Sequence, residues 1–445
     1  MTEPRARSDP PVSGTQPQEA DVLRHMLRSP GYLKALAFCA LIGIPVSLAA
    51  FWLLVLLHEL EHALWADLPH AVGLDVPPWW WPFPLLLFAG IVVGLVVIHL
   101  PGGGGHLAAS GLDTAGPSSA ALPGVLIAAL AGLPFGAVLG PEAPLIALGG
   151  GLALLFRDLA QVPATPQSVA LLGAAGSAAA ISAIFGNPLV AAVLLIEVAG
   201  VGGPQLFAVM LPALLSSGVG ALVFTGLGRW TGLATGDLSL GLSAPVPHLD
   251  VPDVLWALAI AVALAVVLHP LPAVARRVAA YVAARPLVRT VVCALGAAAC
   301  AALYALITGR SPAEVASSGQ ATLAELAADP RAWGVGALLA VLLLKGAAYA
   351  LCLGSLRGGP VFPALFLGAA AGVLLSPLPG LGVVPAMAAG MAAASATALR
   401  LPVSSVVLVV LLLGSSAMMP IVILAAVVAF VITELLPPGP APAAH

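Results

Sequence analysis

From about Gly31 to Leu436 apolar residues run almost without a break, and polar residues appear only in short clusters between the runs. The runs are too long and too continuous for half-buried strands. At roughly 20 residues per bilayer crossing they predict membrane-spanning helices. Turn signals cut the block into pieces. The long candidate spans are 33–66, 81–100, 204–228, 252–282, 287–308 and 333–353. Shorter apolar pieces lie between and after them, at 105–113, 121–138, 142–157, 168–184, 188–199, 360–375, 383–399, 402–413 and 418–435. Several are too short to span alone. Short apolar segments interrupted by Gly or Pro, at matching places of two halves, point to a transporter of inverted repeats whose helix ends line a central cavity. The expected architecture is an all-α polytopic membrane protein with tilted and broken helices, in halves of about 31–228 and 252–436.

Composition sharpens this picture. Of 445 residues 60% are hydrophobic and 8% charged, where a soluble domain carries about 25% charged residues. The mean hydropathy is +1.08, which excludes a water-soluble fold of this length. The 48 Gly and 41 Pro then read as close helix packing and broken helices rather than disorder. A net charge of −3 without a basic stripe gives no reason to expect a nucleic-acid partner. Cys39, Cys293, Cys300 and Cys352 lie in apolar stretches and form no metal-type pair, so they read as packing residues. Neither a cofactor nor a bound metal is implied.

Charge placement gives an orientation. Residues 1–30 begin with a polar, Pro- and Ser-rich stretch without the apolar core of a signal peptide, and are expected to form a largely disordered cytoplasmic tail. Residues 437–445 are expected to be a short tail, with no C-terminal soluble domain. Arg5, Arg7, Arg24, Arg28 and Lys34 near the start, and Arg276, Arg277, Arg285 and Arg289 later, contrast with Asp67 and Asp75 in a connection lacking Lys and Arg. The positive-inside rule places the first two groups in the cytoplasm and the third outside. The expectation is a multi-pass protein of the cell inner (plasma) membrane.

Four stretches carry candidate chemistry. Gly102-Gly103-Gly104-Gly105-His106 follows a span and is expected to precede a short helix. Consecutive glycines let backbone N–H groups converge on an anion, although a plain loop has the same composition. Gly140-Pro141-Glu142-Ala143-Pro144 opens a helix, with Pro at its favoured first turn. Glu142 then sits at the positive end of a helix inside a membrane. An intramembrane carboxylate there takes the place of an anion, and protonation releases it; a surface helix cap is the plainer reading. Phe185-Gly186-Asn187-Pro188-Leu189 leads to Glu197, which would relay protons, bond a neighbouring helix or sit at the cytoplasmic rim. Gly358-Gly359-Pro360-Val361-Phe362-Pro363 mirrors the second stretch in the other half, and its amides offer a second wall for an anion.

A rival pattern is His58-Glu59-Leu60-Glu61-His62, which matches the H-E-x-x-H signature of zinc proteases. A third ligand is required, and Asp113 is the nearest downstream acid. The location beside Trp65 and Asp67 also suits an interfacial helix end. An intramembrane metalloprotease is therefore a distant alternative.

Taken together, these stretches resemble the CLC family of chloride channels and proton–chloride exchangers. Gly140 to Pro144 resemble the family's G-[RK]-E-G-P motif, Gly103 to Leu107 its G-S-G-I-P loop, and Phe185 to Leu189 its F-N-A-P-L stretch. Leu344-Lys345, Leu353-Gly354-Ser355 and Gly358 to Pro363 resemble its K…LGSG…GGIFAP region, and Gly390 to Pro402 a late helix pair. The resemblance implies an inverted-repeat fold and a homodimer with one pore per subunit in the lipid bilayer. It implies Glu142 as the gating glutamate and an anion-binding set of Gly104, Gly105, His106, Pro141, Ala143, Gly359, Pro360, Val361 and Phe362. No CBS domains are expected.

Several positions depart from the family pattern. The pore serine falls at Gly104, the internal proton glutamate at Val198 beside Glu197, and the pore tyrosine near Ala441, with no Tyr beyond Tyr349. Pro141 replaces the basic neighbour of the gating glutamate, and His106 takes an apolar position, where it would relay protons or serve as a spacer. The expected function is transport of chloride or a similar small anion through a pore gated by Glu142, channel-like or weakly proton-coupled. A tightly coupled proton–chloride or proton–fluoride antiporter is the alternative.

Overall fold

The computed structural model describes residues 24–25, 27–111, 118–199, 204–233, 240 and 249–437. Most of the expected tails, Asp113 and Ala441 lie outside these residues. The long helices are α1 (Pro30–His62), α2 (Pro82–His99), α3 (Leu122–Gly132), α4 (Glu142–Leu159), α5 (Pro166–Phe185), α6 (Pro188–Ala199) and α7 (Pro204–Thr231) in the first part of the chain. They continue with α8 (Val251–Leu268), α9 (Pro270–Ala283), α10 (Pro286–Thr308), α11 (Gln320–Ala328), α12 (Val335–Ser355), α13 (Val361–Leu375), α14 (Val383–Leu399), α15 (Pro402–Leu413) and α16 (Met419–Leu435). Many begin with Pro in the first turn, where its missing N–H has no partner to lose.

Eight helical stretches among the described residues are long and apolar enough to cross a membrane. Two of them, Pro166–Phe185 and Ser416–Leu435, correspond to pieces that the turn signals cut too short. The first starts early because Thr165 and Ser168 form a reciprocal capping box. Three other expectations change. The predicted span 252–282 is two helices, because Pro270 has no N–H to continue the ladder after His269. The piece 121–138 ends at Gly132, just ahead of Pro134. Of the piece 105–113 the described residues 105–111 form no α-helix: residues Pro101–Gly104 and Ala108–Ser110 make only 3₁₀ turns. Gly102 to Gly105 all have left-handed φ, from 54° to 97°, a conformation that cannot start a right-handed helix.

Lipid supplies no hydrophobic drive between helices, so close backbone approach has to hold them. Two helix pairs do this in the same way. In α4 and α5, a Cβ built on Gly149 would lie 2.3 Å from the Gly176 carbonyl oxygen. In α13 and α14, a Cβ on Gly368 would lie 2.2 Å from that of Gly390. Gly149 and Gly368 each stand seven residues after the first residue of their helix. The β structure among the described residues is a single antiparallel bridge between Gly140 and Gly359, each two residues ahead of the same two helices. The starts of α4 and α13 therefore meet across this bridge.

Candidate functional site

The site is built on that bridge. Gly140 N–H donates to the Gly359 carbonyl at 2.8 Å, and Gly359 N–H to the Gly140 carbonyl at 2.6 Å. The pairing aims the N-termini of α4 and α13 into one small volume, where unpaired N–H groups and helix dipoles favour negative charge. Glu142, the first residue of α4, fills it. Its side chain is buried, with 2% exposure, and Oε1 accepts from Phe362 N–H at 3.0 Å. The N–H groups of Val361 and of Glu142 itself also face the carboxyl group. Oε2 has no hydrogen-bond partner among the described residues. The carboxylate fits because both bridge residues lack side chains: a Cβ on Gly140 would sit 2.3 Å from its oxygens, and one on Gly359 1.7 Å from Oε2.

Of the anion-binding residues expected from sequence, Gly359, Val361 and Phe362 join Glu142 here, all buried. Ala143 is half-buried in the first turn of α4. Pro141 and Pro360 lie at the site but have no N–H to offer an anion. The Pro360 carbonyl instead accepts from the buried Tyr349 hydroxyl at 2.7 Å, which pins the turn ahead of α13. Gly104 is buried and Gly105 half-buried in the left-handed loop, while His106 is exposed. A cavity of about 160 Å³ is lined by His58 and Glu61 of α1, by Leu139 and Pro141, and by Ser318 and Gln320. It reaches the residue next to Glu142 from the end of α1 that leads into the 63–81 connection.

Glu197 is held elsewhere. Oε1 accepts from Val403 N–H at 2.9 Å, and Oε2 from Ser404 N–H at 2.7 Å and the Ser404 hydroxyl at 2.6 Å. It caps the start of α15 from the end of α6, which is the neighbour-helix role among those considered. Among the described residues the zinc pattern does not assemble, and Asp113 lies outside them. His58 lines the cavity, Glu59 is exposed, and His62 Nδ1 faces Asp67 at 3.3 Å. No group of three His, Cys, Asp or Glu is placed to hold a metal among the described residues.

Two buried or half-buried cations, one of them in a quoted motif, received no role from sequence. Arg357 sends Nε to the Gly103 carbonyl at 3.0 Å, tying the glycine loop to the turn that carries Gly359. A lone charge inside an apolar stretch was the available signal. Lys345, with 0% exposure, donates to the carbonyls of Glu314, Val315, Ala316 and Ser317 at 3.0 to 3.2 Å. It thereby satisfies the backbone turn that precedes Ser318 and the cavity wall.

Comparisons with known proteins agree with this fold. Residues 107–434 match the family described as voltage gated chloride channel. The chain is 33% identical over 155 residues to the "Putative ion-transport protein YfeO" of Salmonella paratyphi A, covering 35% of this chain and 37% of that protein. It therefore spans well under half the length of that relative. Among solved structures, a slow cyanobacterial Cl−/H+ antiporter superposes with a TM-score of 0.72 at 16% identity, over 90% of this chain and 94% of that one. A CLC-type fluoride/proton antiporter gives 0.68 at 20% identity, over 92% and 97%. A eukaryotic CLC transporter gives 0.68 at 18% identity, over 91% and 72%. At these identities the likeness concerns the fold.

Proposed function

The chain belongs to the voltage gated chloride channel family, and on that premise we propose that it passes chloride or a similar small anion across the plasma membrane through a pore gated by Glu142. The observation that carries this reading is the buried carboxylate seated on Phe362 N–H, at the start of a helix from the other half. An ionised carboxylate there is a tethered anion in the place a permeating anion would take. Protonation removes its charge, weakens its hold on the helix N-terminus and frees the site. The cavity at His58, Glu61 and Pro141 is the access route on that side.

In this reading the bilayer is the solvent, the protein works as a homodimer with the N-terminus cytoplasmic, and the halves divide between α7 and α8. Channel-like or weakly coupled transport is favoured over tight exchange because the oxygens of Glu197 are already taken by the start of α15. His106 or Glu197 would carry protons in a coupled mechanism.

The deciding experiment uses purified protein in liposomes with a chloride gradient and a pH probe. Chloride flux without uphill proton movement supports a channel or uncoupled conduit. Uphill pumping lost in Glu142→Gln makes the protein an exchanger, and the same assay with fluoride identifies the preferred anion. No flux of either anion would overturn the reading.

A further inference from the structure

A buried gate that titrates needs protons delivered to it. The Glu142 carboxyl group is 2% exposed, and the groups that face it are main-chain amides. Amides hold their hydrogens and cannot supply them. The cavity of about 160 Å³ shares a wall with the gate's seat, because Leu139 and Pro141 both line it. Between those two residues stands Gly140, where a Cβ would lie 2.3 Å from the Glu142 oxygens. The cavity is also suited to water. One water needs about 10–15 Å³ of such space and two to four polar partners. There is room for several, and His58, Glu61, Ser318 and Gln320 offer polar groups around them. All four residues are half-buried rather than sealed in, so this water exchanges with the solution.

Two titratable side chains reach the cavity from α1. His58 and Glu61 stand three residues apart, hence on one helix face. Glu61 is the better fixed. The Ser317 hydroxyl faces its carboxyl group, and the Lys345 ammonium, held by the carbonyls of 314–317, acts on it across that turn. The other charges around it are exposed or engaged. Glu314 bonds Tyr304 and Arg310, and Glu325 faces Glu314 and Arg310. Glu59 is exposed, and His62 faces Asp67. Of the helices packed against α1, α5 carries no charge and α7 carries the exposed Arg229. In α4, Arg157 pairs with Asp158 at the far end, which leaves Glu142 as the ionisable group at the near end.

We propose that Glu61 is the proton relay between the solution on the cavity side and the Glu142 gate. Its carboxylate takes a proton from the cavity water and passes it through that water to the Glu142 carboxylate. Glu61 is then ionised again, and the net change is one proton lost by the solution and one gained by the gate. One carboxyl group hands a proton to another without an intrinsic uphill step, whereas an imidazole is the stronger base. This inference rests on the gating reading above and adds a residue to it; neither His106 nor Glu197 lines the cavity. It also gives a role to the 58–62 pattern, which assembles no zinc site.

A relay governs how fast the gate responds, not how far it opens, and the two can be read apart. Chloride-loaded liposomes holding the protein are shifted from pH 7.5 to 5.5 by rapid mixing, and the rise of efflux is followed to its final level. Glu61→Gln should slow the rise about tenfold or more, with final flux and unfolding temperature close to wild type. Glu61→Asp keeps the charge beside Lys345 but sets the carboxyl group back by one methylene, so its rise should fall between the two. In a Glu142→Gln background, where no proton is awaited, Glu61→Gln should leave the flux unchanged. A wild-type rise in either single variant overturns the proposal, and Glu61→Asp decides alone if Glu61→Gln unfolds early. An aspartate no faster than the glutamine, or flux lost in the double variant, makes Glu61 a structural support and overturns it too. Wild-type flux that does not respond to acid overturns the gating reading instead, and this inference with it.

Discussion

Gly140 and Gly359 pair through two backbone hydrogen bonds, although 219 positions separate them in the chain. Neither could carry a side chain without striking the Glu142 carboxylate. The bridge joins the starts of α4 and α13, so the Glu142 carboxylate at the start of one helix rests against an amide at the start of the other. Its consequences can be measured.

The gate itself predicts a pH response with a definite sign. On the proposed mechanism acid protonates Glu142 and frees its site, so anion flux should rise as pH falls. Glu142→Gln mimics the neutral form and should be fast and nearly pH-independent. Flux from liposomes at pH 7.5 and 5.5 checks this, and a mutant that keeps the full acid response would sink the mechanism.

Gly359→Ala tests the seat rather than the gate. Its new methyl would start 1.7 Å from Oε2, so the carboxylate must leave the Phe362 amide. Flux at pH 7.5 should rise toward the acid level, with Glu142 still present. Wild-type pH dependence in this variant would mean that the gate does not rest on the bridge.

The glycine crossings should show up as stability. A Cβ at Gly390 would lie 2.1 Å from the Gly368 carbonyl oxygen, which forces α13 and α14 apart. Gly390→Ala should cost about 1–3 kcal/mol, as overpacking does, seen as a lower unfolding temperature in detergent. An unchanged unfolding temperature would contradict the close crossing.

Lys345→Met removes the donor to four buried carbonyls at once. Leaving buried polar groups without partners costs about 1–3 kcal/mol each, so the variant should unfold well below the wild type. Retained stability would show that another group satisfies the 314–317 turn.

Glu197→Ala should lose about 1 kcal/mol by uncapping α15, while Glu197→Gln keeps one acceptor and part of that stability. Proton movement measured on the same samples separates the roles. A loss of pumping in Glu197→Gln at wild-type stability would favour the relay over the cap.

The helices were legible because their signal is local. Apolar length, Pro at first turns and Gly at breaks come from the chain alone, and they located α2, α10, α12 and α14 closely. The same local rules failed at 105–111, where apolar composition suggested a helix but the chain enters through four left-handed glycines, Gly102 to Gly105, and makes only a 3₁₀ turn. They also passed over the break at Pro270, since hydropathy does not register a missing N–H.

Glu142 was legible for a related reason: a carboxylate in lipid has few explanations, and its place after Gly140-Pro141 put it at a helix start. What sequence determined about this protein is therefore its solvent, its helices, its family resemblance and a carboxylate at the start of an intramembrane helix. Only the tertiary structure decided where that carboxylate rests, that Glu197 caps another helix, and that Arg357 reaches Gly103 across 254 positions. Those are contacts between segments far apart in the chain, set by how the helices pack on one another, and no local pattern of residues encodes their distance.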